Sequence, residues 1–223
     1  IRNNTIYNFG SALIYSNAIW GNITNVNIYN NILYETSNFR YGGVANKVNG
    51  IDIDGEGGYT MKVNVYNNVI SVGQVSIKTG RWGSGNAVNI NNNIIFGPMY
   101  TTMYLESTNG LAVDYNYYSS SGDATIFRWG GSTYTLPSFV SAGFGESHGV
   151  RGNPGLNANY TPNATSATNN KGVALGVPFN VDKIGVSRPQ GAAWDIGAFE
   201  YYSGSDTTPS AFSFTDNTGV ALS

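Results

Sequence analysis

The chain has 223 residues, 29 of them Gly and 16 Tyr, with a heavy load of Asn, Ser and Thr and no Cys. That composition favours strands and tight turns, and it excludes a helical bundle, a disulfide framework and a cysteine-held metal. Only 11% of residues are charged, with a net charge of −2, so the basic surface that a nucleic acid requires is missing, and no apolar run approaches the roughly 20 residues of a membrane-spanning helix.

The opening residues Ile1-Arg2-Asn3-Asn4 carry neither Met nor a leader, and they match the end of a motif that recurs downstream. A piece of a longer precursor, lacking earlier coils, is therefore expected. The motif is written three times in full: Val26-Asn27-Ile28-Tyr29-Asn30-Asn31-Ile32-Leu33, Val63-Asn64-Val65-Tyr66-Asn67-Asn68-Val69-Ile70 and Val88-Asn89-Ile90-Asn91-Asn92-Asn93-Ile94-Ile95. Val113-Asp114-Tyr115-Asn116-Tyr117-Tyr118 is a degenerate fourth copy. With the second Asn as marker, the spacings from Asn4 through Asn31, Asn68 and Asn93 to Asn116 are 27, 37, 25 and 23 residues.

Each copy alternates apolar and polar residues and then bends at the Asn pair, which predicts a strand with one inward face followed by a sharp corner. Asn suits the corner because it tolerates the left-handed conformation and because its amide can bond to the Asn one coil away. A unit of this size cannot bury its own apolar face, whereas parallel stacking buries the Ile and Val columns. The predicted fold is all-β, a right-handed parallel β-helix with an irregular C-terminal capping tail.

Counting back from the markers aligns a second strand: Leu13 to Ser16, Ile51 to Asp54, Val75 to Lys78 and Met103 to Glu106. The extra residues of the longest coil fall in Phe39 to Lys47, where a protruding loop is expected. From about Asp123 the repeat fades; Thr125 to Gly131 suggests a short strand or turn, and a short helix is expected to begin near Pro137. The chain thus divides into coils at 1–122, a cap and packing tail at 123–202, and a linker with the start of a further repeat module at 203–223.

The tail contains Asn153-Pro154-Gly155-Leu156, Arg188-Pro189 and Asp195-Ile196-Gly197-Ala198-Phe199-Glu200-Tyr201. With Phe127-Arg128-Trp129 and Glu146-Ser147-His148, these residues resemble the right-handed β-helix repeat proteins of secreted bacterial polysaccharide-degrading systems. The resemblance covers residues 1–201 and implies an extracellular or cell-surface location, a polysaccharide partner, and lyase, hydrolase or epimerase chemistry. It also allows a non-catalytic stalk, adhesin or fibre component, joined to further repeat modules.

The alignment of second strands stacks Asp54, Lys78 and Glu106 in one column and Asp52, Ser76 and Tyr104 in the next, about 4.8 Å per strand. A polysaccharide lyase needs a cation on the uronate carboxylate, a base and a proton donor. Asp52, Asp54 and Glu106 are the candidate Ca²⁺ ligands, Lys78 the candidate base if its pKa is lowered, and Arg81 or Tyr104 the candidate donor. Arg40, Lys47, Trp82 and Tyr104 are the candidate substrate contacts. Hydrolysis would instead use the carboxylates of Asp52 and Asp54, about 6.5 Å apart by strand rise. The bland alternative is a charge ladder on a solvated face. His148, the one histidine, lacks a nucleophile motif around it and is expected to make structural hydrogen bonds.

Overall fold

The Asn pairs at 30–31, 67–68 and 92–93 are each followed by two consecutive apolar residues, and these begin strands of the first of three parallel sheets. The computed structural model describes residues 1–18, 21–36, 48–55, 59–80, 86–96, 101–106, 108–119 and 127–203, together with the backbone of 40–41 and 44–45. Sheet 1 consists of β1 (Thr5–Tyr7), β4 (Ile32–Tyr34), β9 (Val69–Ser71), β12 (Ile94–Phe96), β15 (Tyr117–Ser119) and β18 (Val150–Arg151), in that order. Sheet 2 runs β2 (Ala12–Ala18), β7 (Asn49–Gly55), β10 (Val75–Thr79), β13 (Thr101–Leu105) and β16 (Phe127–Trp129), and ends in the antiparallel β17 (Ser132–Tyr134). Sheet 3 comprises β3 (Ile23–Tyr29), β8 (Met61–Tyr66), β11 (Ala87–Asn91) and β14 (Leu111–Asp114). From β1 the chain visits sheets 1, 2 and 3 in that cyclic order, and every pairing between successive visits is parallel. The extra residues of the long circuit include a small antiparallel hairpin, β5 (Arg40–Tyr41) with β6 (Val44–Ala45).

The corner between sheets 3 and 1 has the same form each time: Asn30-Asn31, Asn67-Asn68, Asn92-Asn93 and Tyr115-Asn116. The two Asn properties expected from the sequence are divided between the two residues. The first takes the left-handed conformation, with φ of 56° at Asn30, 52° at Asn67 and 58° at Asn92. The second builds the ladder: Asn31, Asn68 and Asn93 each donate from the backbone N–H and from Nδ2 to the Oδ1 of the next Asn, at 2.9 to 3.0 Å. These rungs are 0% exposed, so each bond is made in a low-dielectric setting where an unpaired amide would be costly.

Inward side chains stack as columns: Ile14, Ile51, Ile77, Met103 and Phe127 from sheet 2; Ile28, Val65, Ile90 and Val113 from sheet 3; and Leu33, Ile70, Ile95 and Tyr118 from sheet 1. Burial of each aliphatic side chain contributes about 1.5–3 kcal/mol. At the far end an aromatic group of Phe127, Trp129, Tyr134, Phe139 and Phe144 closes the core, with Phe139 on α1 (Leu136–Ser141), the helix expected near Pro137.

The segment after β18 returns along the outside of the stack. Ile196, Ala198 and Phe199 cover the outward Ile32, Val69, Ile94 and Tyr117 of sheet 1, and Phe179 packs edge-on against Tyr29 and Tyr66 of sheet 3. The left-handed Asn residues hold this segment: Asn30 Nδ2 donates to Val181 O at 2.8 Å, and Asn92 exchanges two bonds with Val173 at 2.8 and 3.0 Å. Sheet 2 receives no such cover from the described tail, and its outer face is where the candidate residues lie.

Candidate functional site

The outward column at the middle of sheet 2 reads Tyr15, Asp52, Lys78, Tyr104, Arg128 in strict register. This corrects the sequence alignment, which set Lys78 beside Asp54 and Glu106. The observed pairing is shifted by two residues, so Lys78 keeps its outward face but changes neighbours. The alignment of β2 was off by one: Asn17, not Ser16, stands beside Asp54. A two-residue slip leaves the apolar pattern intact, so periodicity alone does not detect it.

Lys78 Nζ lies 3.3 and 3.2 Å from Asp52 Oδ1 and Oδ2, and Asn49 Nδ2 donates to Oδ2 at 3.3 Å. Burial acts to lower the Lys78 pKa, but the charge and hydrogen bond of Asp52, with Asp54 and Tyr15 assisting, leave it raised. The base assignment therefore meets a correction: a general base needs its pKa brought toward neutrality, and the ion pair moves this one away. Further along the sheet the Arg128 guanidinium lies over the Tyr104 ring, 4.6 Å from its centroid, a cation–π contact.

In the adjacent outward column, Asn17 and Asp54 are paired, and Gly80 and Glu106 continue the row. A Cβ at Gly80 would fall 1.8 Å from Asp54 Oδ1, so the Asp54 carboxylate occupies the space that the glycine leaves. Gly80 separates Asp54 from Glu106, placing their strands about 9.6 Å apart. Among the described residues no group of three or more His, Asp or Glu could hold a metal ion. The proposed Asp52, Asp54 and Glu106 set does not converge, because Asp52 is turned to Lys78 and the other two stand two strands apart. The side chains of Arg40, Lys47, Arg81 and Trp82 lie outside the described residues. The sequence reading missed Tyr15 and Arg128. Arg128 sits in the short segment assigned to the tail, whose alternation was the one available sign that sheet 2 continues.

His148 makes the structural bonds expected of it. Its Nδ1 lies 2.8 Å from Asp114 Oδ2, its N–H donates to Asp114 Oδ1 at 2.9 Å, and its ring stacks on Tyr115 with centroids 4.2 Å apart. Ser147 Oγ approaches the same Nδ1 at 3.1 Å, so serine and carboxylate share one ring nitrogen and no relay through the imidazole exists. Burial acts to raise the Asp114 pKa, but the bonds from His148 and Tyr115 and the His148 charge leave it below the usual range.

The acidic residues of the Asp195 to Tyr201 segment are structural. Arg188 Nη1 bonds to Glu200 Oε2 at 2.9 Å and to Asp195 O at 3.1 Å, and Nη2 bonds to Gly197 O at 2.9 Å. Asp195 Oδ1 accepts from Asn170 N, and Glu200 Oε1 from Gln190 N. Held on several sides and buried, these carboxylates lack access to a substrate. Comparison with protein-family models, curated proteins and solved structures finds no match to the chain.

Proposed function

We propose that the chain is a right-handed parallel β-helix from an extracellular bacterial protein that binds a polysaccharide along the outer face of sheet 2. The carrying observation is the column of Tyr15, Lys78, Tyr104 and Arg128, with Asp52 buried beneath Lys78, which offers aromatic and cationic groups at a repeat of about 4.8 Å on the face that the tail leaves open. An extended glycan presents apolar ring faces and polar edges in alternation, and such a column matches both. The handedness rests on the strong preference of parallel crossovers for the right-handed sense. The secreted, carbohydrate-related setting rests on the resemblance of the Asp195 to Tyr201 segment and its companions.

Affinity electrophoresis against neutral and acidic polysaccharides tests the reading. Retention by at least one of them is expected, with Tyr104→Ala and Arg128→Ala each weakening it about tenfold, the loss of one good contact worth roughly 1.4 kcal/mol. Absence of retention across the panel would overturn it. Cleavage is a second reading, favoured by the carboxylate, ammonium and phenol of Asp52, Lys78 and Tyr104 on neighbouring strands, with the ammonium as the cation facing a uronate and not as the base. It predicts an unsaturated, ultraviolet-absorbing product from an acidic polysaccharide. The non-catalytic stalk is favoured by the uninterrupted Asn ladder and predicts retention by no glycan.

A further inference from the structure

The Asn ladder ends on a different chemistry. Its last rung, Asn116, donates from the backbone N–H to Glu146 Oε2 at 3.3 Å and from Nδ2 to Oε1 at 2.7 Å, and the Tyr118 hydroxyl donates to the same Oε1. Because the rungs from Asn4 onward hand their N–H groups to the next residue, all donors point one way, and the terminus must accept from both Asn116 groups. A carboxyl group meets that requirement charged or neutral, because each oxygen keeps an accepting lone pair, whereas an amide would turn its own NH₂ against one of the donors.

Three costs meet at this residue. Glu146 is 1% exposed, and among the described residues no cation bonds to its carboxylate. Its φ is 58°, a left-handed conformation that a non-glycine residue holds only under constraint. The loop is drawn tight around it: a Cβ at Gly149 would lie 2.5 Å from Glu146 Oε2, and one at Gly145 would lie 2.4 Å from Val113 O. The titratable groups around it are Tyr118 on β15, Asp114 on β14 with His148 bonded to it, and Arg151 on β18, which pairs with Tyr118.

We infer that Glu146 is a proton-operated clasp: neutral, it locks residues 145–151 and β18 onto the end of the stack, and ionised, it leaves a buried charge that opens them. Either protonation state can be hydrogen-bonded in the closed arrangement. In the ionised form the Tyr118 hydroxyl donates to the carboxylate. In the neutral form the proton on Oε1 is donated to Tyr118 Oη, and the phenol turns its own proton toward Met103 Sδ at 3.8 Å. Burial, the largest influence, with a smaller push from Asp114, outweighs the bonds from Tyr118 and Asn116 and raises the carboxyl to about 7. The clasp is thus closed in mild acid and opens as the pH rises through neutrality.

The test is an infrared titration of the chain with hydrogen exchange read in parallel. A protonated-carboxyl band that disappears near neutrality and is absent from Glu146→Gln is expected. The Val150 and Gly152 amides, which donate to Asn116 O and Tyr118 O at 3.0 Å each, report on the clasp. Their protection, corrected for intrinsic exchange, is expected to fall about 100-fold between about pH 5 and about pH 8. Tyr118→Phe, which removes one donor to the anion, moves the midpoint upward and carries the test should Glu146→Gln fail to fold. A midpoint in the ordinary carboxylate range, or the same fall in Glu146→Gln, would overturn the inference.

Discussion

Asn68 shows what one ladder rung contributes. It accepts from both N–H groups of Asn31 at 3.0 Å and donates to Ile28 O at 2.9 Å and to Asn93 Oδ1 at 3.0 Å, all out of contact with water. Asn68→Ala strands several buried partners at about 1–3 kcal/mol each, so a loss of at least about 3 kcal/mol is expected in urea melts. Asn67, one residue earlier, has the other role. With φ at 52°, Asn67→Gly is expected to unfold at a higher denaturant concentration than Asn67→Ala, because glycine adopts this conformation without steric cost. Equal midpoints for the two variants would show that the backbone conformation is not what selects Asn there.

At the scale of elements, the tail depends on Arg188. Burial acts to lower its pKa, while Glu200, Asp182 and Asp195 oppose that, and the guanidinium holds the return segment together from inside. Arg188→Met leaves carboxylates buried without their cation, an uncompensated charge that costs about 3–5 kcal/mol. The double variant Arg188→Met, Glu200→Gln is expected to lose less than the single one; a loss equal to the sum of both single variants would show that the pair is not coupled. The cover that this segment provides was written in the repeats. Ile32-Leu33, Val69-Ile70 and Ile94-Ile95 are consecutive apolar residues in strands whose faces alternate, and such runs belong to parallel sheets buried on both sides. The inward member of each pair meets the core and the outward member meets Ile196, Ala198 and Phe199. What covers the outer face lay more than a hundred residues away in sequence, so the repeats announced a covering without naming it.

For the whole molecule, stability has a pH profile with opposing limbs. Asp114, held below its ordinary range, contributes stability above its unfolded pKa that is lost as the pH falls through the folded value. Glu146, raised from 4.5 to about 7, works the other way: stability is full below the unfolded value and declines until the folded one is passed, by a total of about 3 kcal/mol. Thermal melts are therefore expected to show a maximum in mild acid and a fall toward neutrality that Glu146→Gln removes. A profile rising steadily from pH 5 to about 8 would contradict this assignment.

The architecture as a set of stacked parallel strands was legible from the Asn markers alone. An Asn pair at a corner and alternating aliphatics before it are local requirements, and the corner has the same length in each circuit. The candidate site was legible only as a list of outward residues. Which of them touch depends on the lengths of the other two corners, which vary from circuit to circuit, and a two-residue slip there preserves every inward side chain. The sequence by itself thus determined the ladder, the corner and the inward columns of the two sheets that flank it, because these repeat, whereas the one-residue slip at β2 had turned its inward face outward. Only the tertiary structure decided that Lys78 meets Asp52, that Arg128 completes the column over Tyr104, and that Glu146 ends the ladder, because those contacts are set by non-repeating connections.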